Sequence, residues 1–157
     1  MVRTKIRPVL LCALVVLLPW VTPVSTCAQD IRHAYGHWKV DASETARLNP
    51  FASEAMLILF TKDVTENPFI LSINEKDFIT TSRLKVIHDT YEVAGAEKGV
   101  VTLSLTSKDK PETRQRLLKM QPKGDRLYLD YRDTGRSGLL VVFVKAREEE
   151  KQYPPTR

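Results

Sequence analysis

The amino-acid sequence predicts a mainly β fold in which about seven or eight antiparallel strands follow one another as a meander. We expect either a small barrel or a curved sheet, with a helical insertion near its start. From residue 69 onward, apolar and polar side chains alternate with the period of two that is typical of strands with one buried face. Short polar segments with Gly, Pro or Asp separate these runs, as in a series of hairpins.

The first strand and a short helix are predicted from residue 36 onward. Trp38 and Val40 alternate with polar neighbours, which indicates a strand with one buried face. Asp41 followed by Glu44 is a variant of the capping box, so we expect a helix that runs to about Leu48.

A second helix is predicted over residues 51–64. Asn49 is a favoured N-cap residue and Pro50 is favoured at the first helical position. Residues 56–60 taken alone are also compatible with a buried strand, but apolar residues recur every four positions through the segment. The helical insertion therefore spans about residues 42–66.

The remaining strands are predicted from the two-residue period and the turns between them. Two of the loops are glycine-bearing hairpin connections, at residues 94–99 and 133–138. The final strand is apolar on both faces, which indicates that it closes a barrel or is covered by a helix. The predicted strands after the insertion are 69–74, 78–81, 84–93, 101–105, 114–121, 127–131 and 139–144.

Residues 1–28 have the pattern of a secretory signal peptide. A head with Arg3, Lys5 and Arg7 precedes an apolar run, which is followed by small residues up to Ala28. Cleavage after Ala28 would give an exported protein, periplasmic or secreted. The alternative is a lipid anchor on Cys27, which lies in a box similar to that of bacterial lipoproteins.

Removal of this leader would change what the composition implies. Both cysteines lie within it, so the 129 residues that follow contain no thiol, and they suffice for one core. The net charge of +5 falls to +2, which gives no electrostatic argument for nucleic-acid binding. We expect a short N-terminal segment (29–35), one β domain (36–145) and a flexible charged tail (146–157).

The opening of the β domain resembles that of lipocalin-like (calycin) proteins, and more closely that of small exported bacterial domains with a Gly-x-Trp-x-Val-Asp segment. Here that segment consists of Gly36, Trp38, Val40 and Asp41. The resemblance extends over residues 36–145. It implies a barrel in which Gly36 and Trp38 have a structural role, with the indole packed across the closed end.

The sequence indicates no catalytic site, metal site or cofactor. His33 and His37 are four residues apart, but Gly36 lies between them and no third ligand follows, so we expect surface histidines. His88 is predicted to face solvent on a strand, beside Asp89. The sequence contains no Gly-x-Ser-x-Gly motif, and both cysteines precede the predicted cleavage site.

These observations predict a non-enzymatic binding protein that holds a small apolar ligand between the helix and the sheet. Alternatively, the same side chains fill the core of a barrel that has no cavity, and the sequence is compatible with both interpretations. The alternative function is a protein-interaction module of the cell envelope (an inhibitor, immunity or assembly factor) that uses its edge strands or the 133–138 hairpin. The candidate ligand-lining residues are Met56, Phe60, Phe69, Leu71, Ile87, Tyr91, Leu103 and Met120.

Overall fold

The protein folds into a closed antiparallel barrel of eight strands, with two helices between the first and second strands. The computed structural model describes residues 31–112, 115–132 and 138–147. This architecture confirms the predicted fold class, in its barrel form. The elements are β1 (Gly36–Val40), α1 (Ala42–Leu48), α2 (Glu54–Glu66), β2 (Phe69–Ile73), β3 (Asp77–Ser82), β4 (Val86–Glu97), β5 (Val100–Ser107), β6 (Arg116–Lys123), β7 (Arg126–Asp130) and β8 (Leu140–Lys145).

The barrel closes because β1 pairs with both β2 and β8. Trp38 lies opposite Leu71 of β2, and Lys39 lies opposite Val144 of β8. Each of the eight strands therefore has two hydrogen-bonded neighbours, and none of them is an edge strand.

Helix α1 begins where the capping signal predicts. The Asp41 carboxylate accepts a hydrogen bond from the backbone N–H of Glu44 at 2.9 Å. The prediction that Asn49 caps the next helix is wrong, because Asn49 is the C-cap of α1. Its side chain donates to the carbonyl oxygens of Thr45 (2.6 Å) and Leu140 (2.8 Å) and accepts from the N–H of Leu140 (2.9 Å).

Helix α2 begins three residues later than predicted. Ser53 is its N-cap, and the hydroxyl accepts a hydrogen bond from the N–H of Met56 at 3.2 Å. With Asn49 bound to β8, residues 50–52 form the connection between the two helices, and α2 continues to Glu66.

Strand β4 is longer than predicted. Residues 94–97, which we expected in a loop, belong to the strand: after a register shift between Val93 and Gly95, residues 95–97 stay paired with β5. The turn itself contains only Lys98 and Gly99, both with positive φ (52° and 77°). This geometry is that of a two-residue hairpin turn, whose twist matches that of the strands.

Apolar residues on the inner face of the barrel form one core. The last strand is buried on both faces because α1 covers its outer side: the Val142 N–H donates to the Thr45 hydroxyl at 2.9 Å. Both features predicted for an apolar final strand are therefore present: β8 closes the barrel with β1, and a helix covers it. The fully buried large side chains include Trp38, Leu71, Leu103, Leu118, Met120, Leu127, Leu129 and Phe143.

Candidate functional site

One end of the barrel, which we call the Trp38 end, is plugged. The segment before β1 folds back beneath the barrel and buries Ile31 and Ala34. The Trp38 indole N–H donates to the Ala34 carbonyl at 2.7 Å. The Lys145 ammonium lies 3.8 Å from the indole ring centroid and donates to the Tyr35 carbonyl at 2.6 Å. Burial lowers the pKa of Lys145.

Gly36 allows the chain to enter β1 at this end. Its φ is +122°, a value that residues with a Cβ rarely adopt. A Cβ added at this position would also lie 3.0 Å from the Lys145 ammonium nitrogen. Gly36 and Trp38 thus both contribute to packing at the plugged end.

The opposite end, which we call the α2 end, is where β1 ends and β2 begins, so the connection that contains both helices lies there. Helix α2 rests on the core through Leu57 and Phe60, and none of its residues is fully buried. On its outer side, Ile58 is 58% exposed and Leu59 is 68% exposed. The helix is therefore attached to the barrel by a narrow contact.

Inward-facing residues near the α2 end remain partly exposed. Thr80 lies opposite Leu71, and Ile87 lies opposite Thr80, so all three share the inner face. Leu71 is buried, whereas Thr80 and Ile87 are only partly buried. Phe69, two residues before Leu71, is also partly buried and packs edge-on against Phe143 at a centroid distance of 6.0 Å. Solvent therefore reaches the barrel interior at this end.

The structure divides the predicted ligand-lining residues between several environments. Phe60, Phe69 and Ile87 lie at the α2 end. Tyr91 lies near the Trp38 end, where its hydroxyl donates to the Asn74 carbonyl at 2.5 Å and burial raises its pKa. Met56 is 40% exposed and lines a shallow surface groove of about 320 Å³ beside the connection between the helices. The remaining three are fully buried in the core: Leu71, Leu103 and Met120.

The barrel interior also contains an ion pair that the sequence reasoning missed. Asp89 lies on the inner face of β4, between Ile87 and Tyr91, and is only 3% exposed. Its Oδ2 accepts a hydrogen bond from Arg116 Nη2 at 2.6 Å, whereas its Oδ1 is buried without a partner. A buried polar atom without a hydrogen bond costs about 1–3 kcal/mol. The two-residue alternation of β4 was the available signal, because it places position 89 on the inner face.

The histidines occupy other surroundings. His88 faces outward and lies 2.8 Å from Asp77 Oδ1, which also accepts from the Lys108 ammonium at 2.8 Å. Hydrogen bonds from Lys108 first, and then from His88, lower the pKa of Asp77. His33 is exposed, and His37 Nδ1 lies 2.8 Å from the Ser72 hydroxyl. Among the described residues, no group of three His, Cys, Asp or Glu side chains is arranged to hold a metal ion.

The predicted leader (1–28) and the 133–137 part of the predicted hairpin lie outside the described residues. Within the described ranges, no helix has both the length and the apolar character needed to cross a bilayer. Comparisons with protein-family models, with curated proteins and with solved structures find no match to this chain. The candidate site is therefore defined by its geometry: a partly open barrel interior at the α2 end that contains the Asp89–Arg116 ion pair.

Proposed function

We propose that this chain is an exported binding protein that holds a small, largely apolar ligand at the α2 end of the barrel. One observation supports the proposal above the others. Inward-facing side chains, including Phe69 and Ile87, remain partly exposed at the barrel end that carries α2, a helix with no fully buried residue. Such an arrangement offers an apolar surface and a cover that can move aside.

The energetics of the cover are consistent with ligand entry. Leu57 and Phe60 provide the contact of α2 with the core, and both are only partly buried. Complete burial of a large apolar side chain contributes about 1.5–3 kcal/mol, and neither Leu57 nor Phe60 is completely buried, so their contact stabilises the helix by less than two fully buried side chains would. Lifting α2 leaves the barrel strands paired, because their hydrogen bonds join strand to strand.

A titration with the neutral dye N-phenyl-1-naphthylamine tests this function. We expect saturable binding at one site, with dye fluorescence raised by the apolar surroundings. Ile87→Gln places an amide on the inner face and is expected to weaken binding about tenfold, which corresponds to about 1.4 kcal/mol. Val86→Gln is the matched control, because Val86 is the adjacent residue, faces outward and is 55% exposed. Binding that is not saturable, or an equal loss in both variants, would refute the proposal.

A second function is favoured by exposed apolar side chains near the same end. Phe51, Ile58, Leu59, Leu84 and Leu117 are each more than half exposed, and Ile58 and Leu59 are adjacent on α2. A contiguous exposed apolar surface is typical of a site that binds a partner. We propose as the alternative that another envelope protein covers this surface. Since each barrel strand already has two neighbours, such a partner would bind side chains and would not add a strand.

Crosslinking in cells that export the chain separates this alternative from ligand binding. A photoreactive residue at position 59 is expected to give one adduct of constant mass, and the same residue at position 125, exposed in the turn between β6 and β7 at the opposite end of the barrel, none. Ile58→Ser should abolish the adduct if apolar packing holds the partner. An adduct from both positions, or from neither, would contradict a specific partner on this surface.

A further inference from the structure

The two side chains of the Asp89–Arg116 ion pair differ in their exposure to solvent. Asp89 is enclosed, with 4% of its side chain exposed, whereas the Arg116 side chain is 28% exposed and reaches solvent. Oδ2 of Asp89 accepts from the guanidinium, and Oδ1 is left buried without a hydrogen-bond donor. Both residues face inward, since Arg116 lies opposite Leu105 and Asp89 lies opposite Phe78, two buried core residues.

An unpaired carboxylate oxygen inside a barrel is exceptional, because buried polar atoms in folded proteins nearly always have a partner. Asp89 and Arg116 therefore offer two complementary hydrogen-bonding groups side by side: a free acceptor on the carboxylate and further N–H donors on the guanidinium. A ligand group with both a donor and an acceptor would satisfy them together.

We propose that the ligand of this barrel is an amphiphile with a neutral head group, an alcohol or a primary amide, whose hydroxyl or amide hydrogen bonds to Asp89 Oδ1. The proposal rests on the function proposed above and specifies the ligand class of the same site. The apolar part of the ligand would lie against Phe69 and Ile87 beneath α2.

The charges of the pair favour a neutral head over a charged one. The carboxylate and the guanidinium cancel each other, so the site has no net charge to compensate an ion that loses its water. A ligand carboxylate would meet the acceptor oxygen of Asp89 and be repelled by it. An ammonium group would meet Arg116, which is already bound to the same carboxylate.

A series of ligands with one chain and four heads tests the assignment in the wild-type protein. Decanol, decanamide, decanoate and decylammonium would each displace N-phenyl-1-naphthylamine, with the displacement constant as the readout. We expect the alcohol and the amide to bind about tenfold more tightly than either ion. Equal binding of all four, or tighter binding of an ion, would overturn the neutral-head assignment. A dye that does not bind at all would instead refute the proposed function.

Asp89→Asn provides the decisive variant, because it keeps the shape of the side chain and removes the negative charge that balances the Arg116 cation. We expect the ranking to invert, with decanoate becoming the tightest of the four. Asp77→Asn is the matched control, since Asp77 is an outward-facing carboxylate on the neighbouring strand, and should leave the ranking unchanged. If the order of affinity of the four ligands were unchanged in Asp89→Asn, the ligand head would not bond to Asp89 Oδ1, and the proposal would be overturned. If Asp89→Asn fails to fold, the wild-type series still decides the question.

Discussion

Replacing Asn49 by Ala tests how the helical insertion is fastened to the barrel. The Asn49 side chain, 8% exposed, makes three hydrogen bonds, one to Thr45 in α1 and two to Leu140 in β8. An intramolecular hydrogen bond contributes about 1 kcal/mol net, and a backbone group that is left buried and unpaired costs somewhat more. We therefore expect Asn49→Ala to lower the free energy of unfolding by about 2–4 kcal/mol.

Urea denaturation followed by both tryptophan fluorescence and circular dichroism measures this loss. The two probes should agree, and the dependence of the unfolding free energy on urea concentration should be the same as in wild type. Asn67→Ala is the matched control: Asn67 is the C-cap of α2, and it fulfils this role with its backbone N–H alone. We expect that variant to lie within about 0.5 kcal/mol of wild type. A loss below about 0.5 kcal/mol in Asn49→Ala, or the same loss of stability in both variants, would show that the Asn49 side chain does not fasten α1 to β8.

Three further predictions concern the core, the entry to β1 and acid stability, each measured by the same denaturation. Leu118→Ala should lower the free energy of unfolding by about 2–5 kcal/mol, because Leu118 is buried in the core. Leu117→Ala, at the outward-facing neighbour, should lower it by less than about 1 kcal/mol. Equal losses would contradict the assignment of Leu118 to the inner face and Leu117 to the outer face. Gly36→Ala should cost about 1–3 kcal/mol, whereas Gly95→Ala, where φ is not positive and no atom is near, should be neutral or slightly stabilising. The folded state lowers the pKa of Asp77, so its stabilisation is complete above the ordinary value of 3.8 and is lost as the pH falls below it. The difference in unfolding free energy between wild type and Asp77→Asn should therefore become smaller in acid. A difference that is constant between pH 6 and pH 2 would show that the Asp77 carboxylate does not stabilise the folded state in a pH-dependent way.

The strands and the first cap were predictable because their signals are local. Alternation in β5 gives one buried residue at every second position, and Asp41 caps α1 through an atom only three residues away. Asn49 shows where this reasoning stops. Its sequence neighbours make it a good N-cap, but two of its hydrogen bonds join Leu140, 91 positions away, and these decide its role.

The candidate site was predicted only in part for a similar reason. The apolar period identified which residues face inward, but it did not show which inward residues stay accessible, because accessibility depends on how α2 lies over the barrel. Asp89 was identifiable as an inward-facing polar residue from its place between Ile87 and Tyr91. Its pairing with Arg116 was not, because an entire strand, β5, lies between the two residues in the sheet.

The seam between β1 and β8 has a consequence for when this protein folds. A hydrogen bond joins Thr45 in α1 to Val142 in the last strand, 97 positions later in the chain. Neither the closed barrel nor the packing of α1 against it can therefore form until β8 has been synthesised. Long-range pairing of this kind makes folding slow compared with that of helical domains of the same length. Until β8 pairs with β1, all of the preceding strands therefore belong to an open sheet with two free edges.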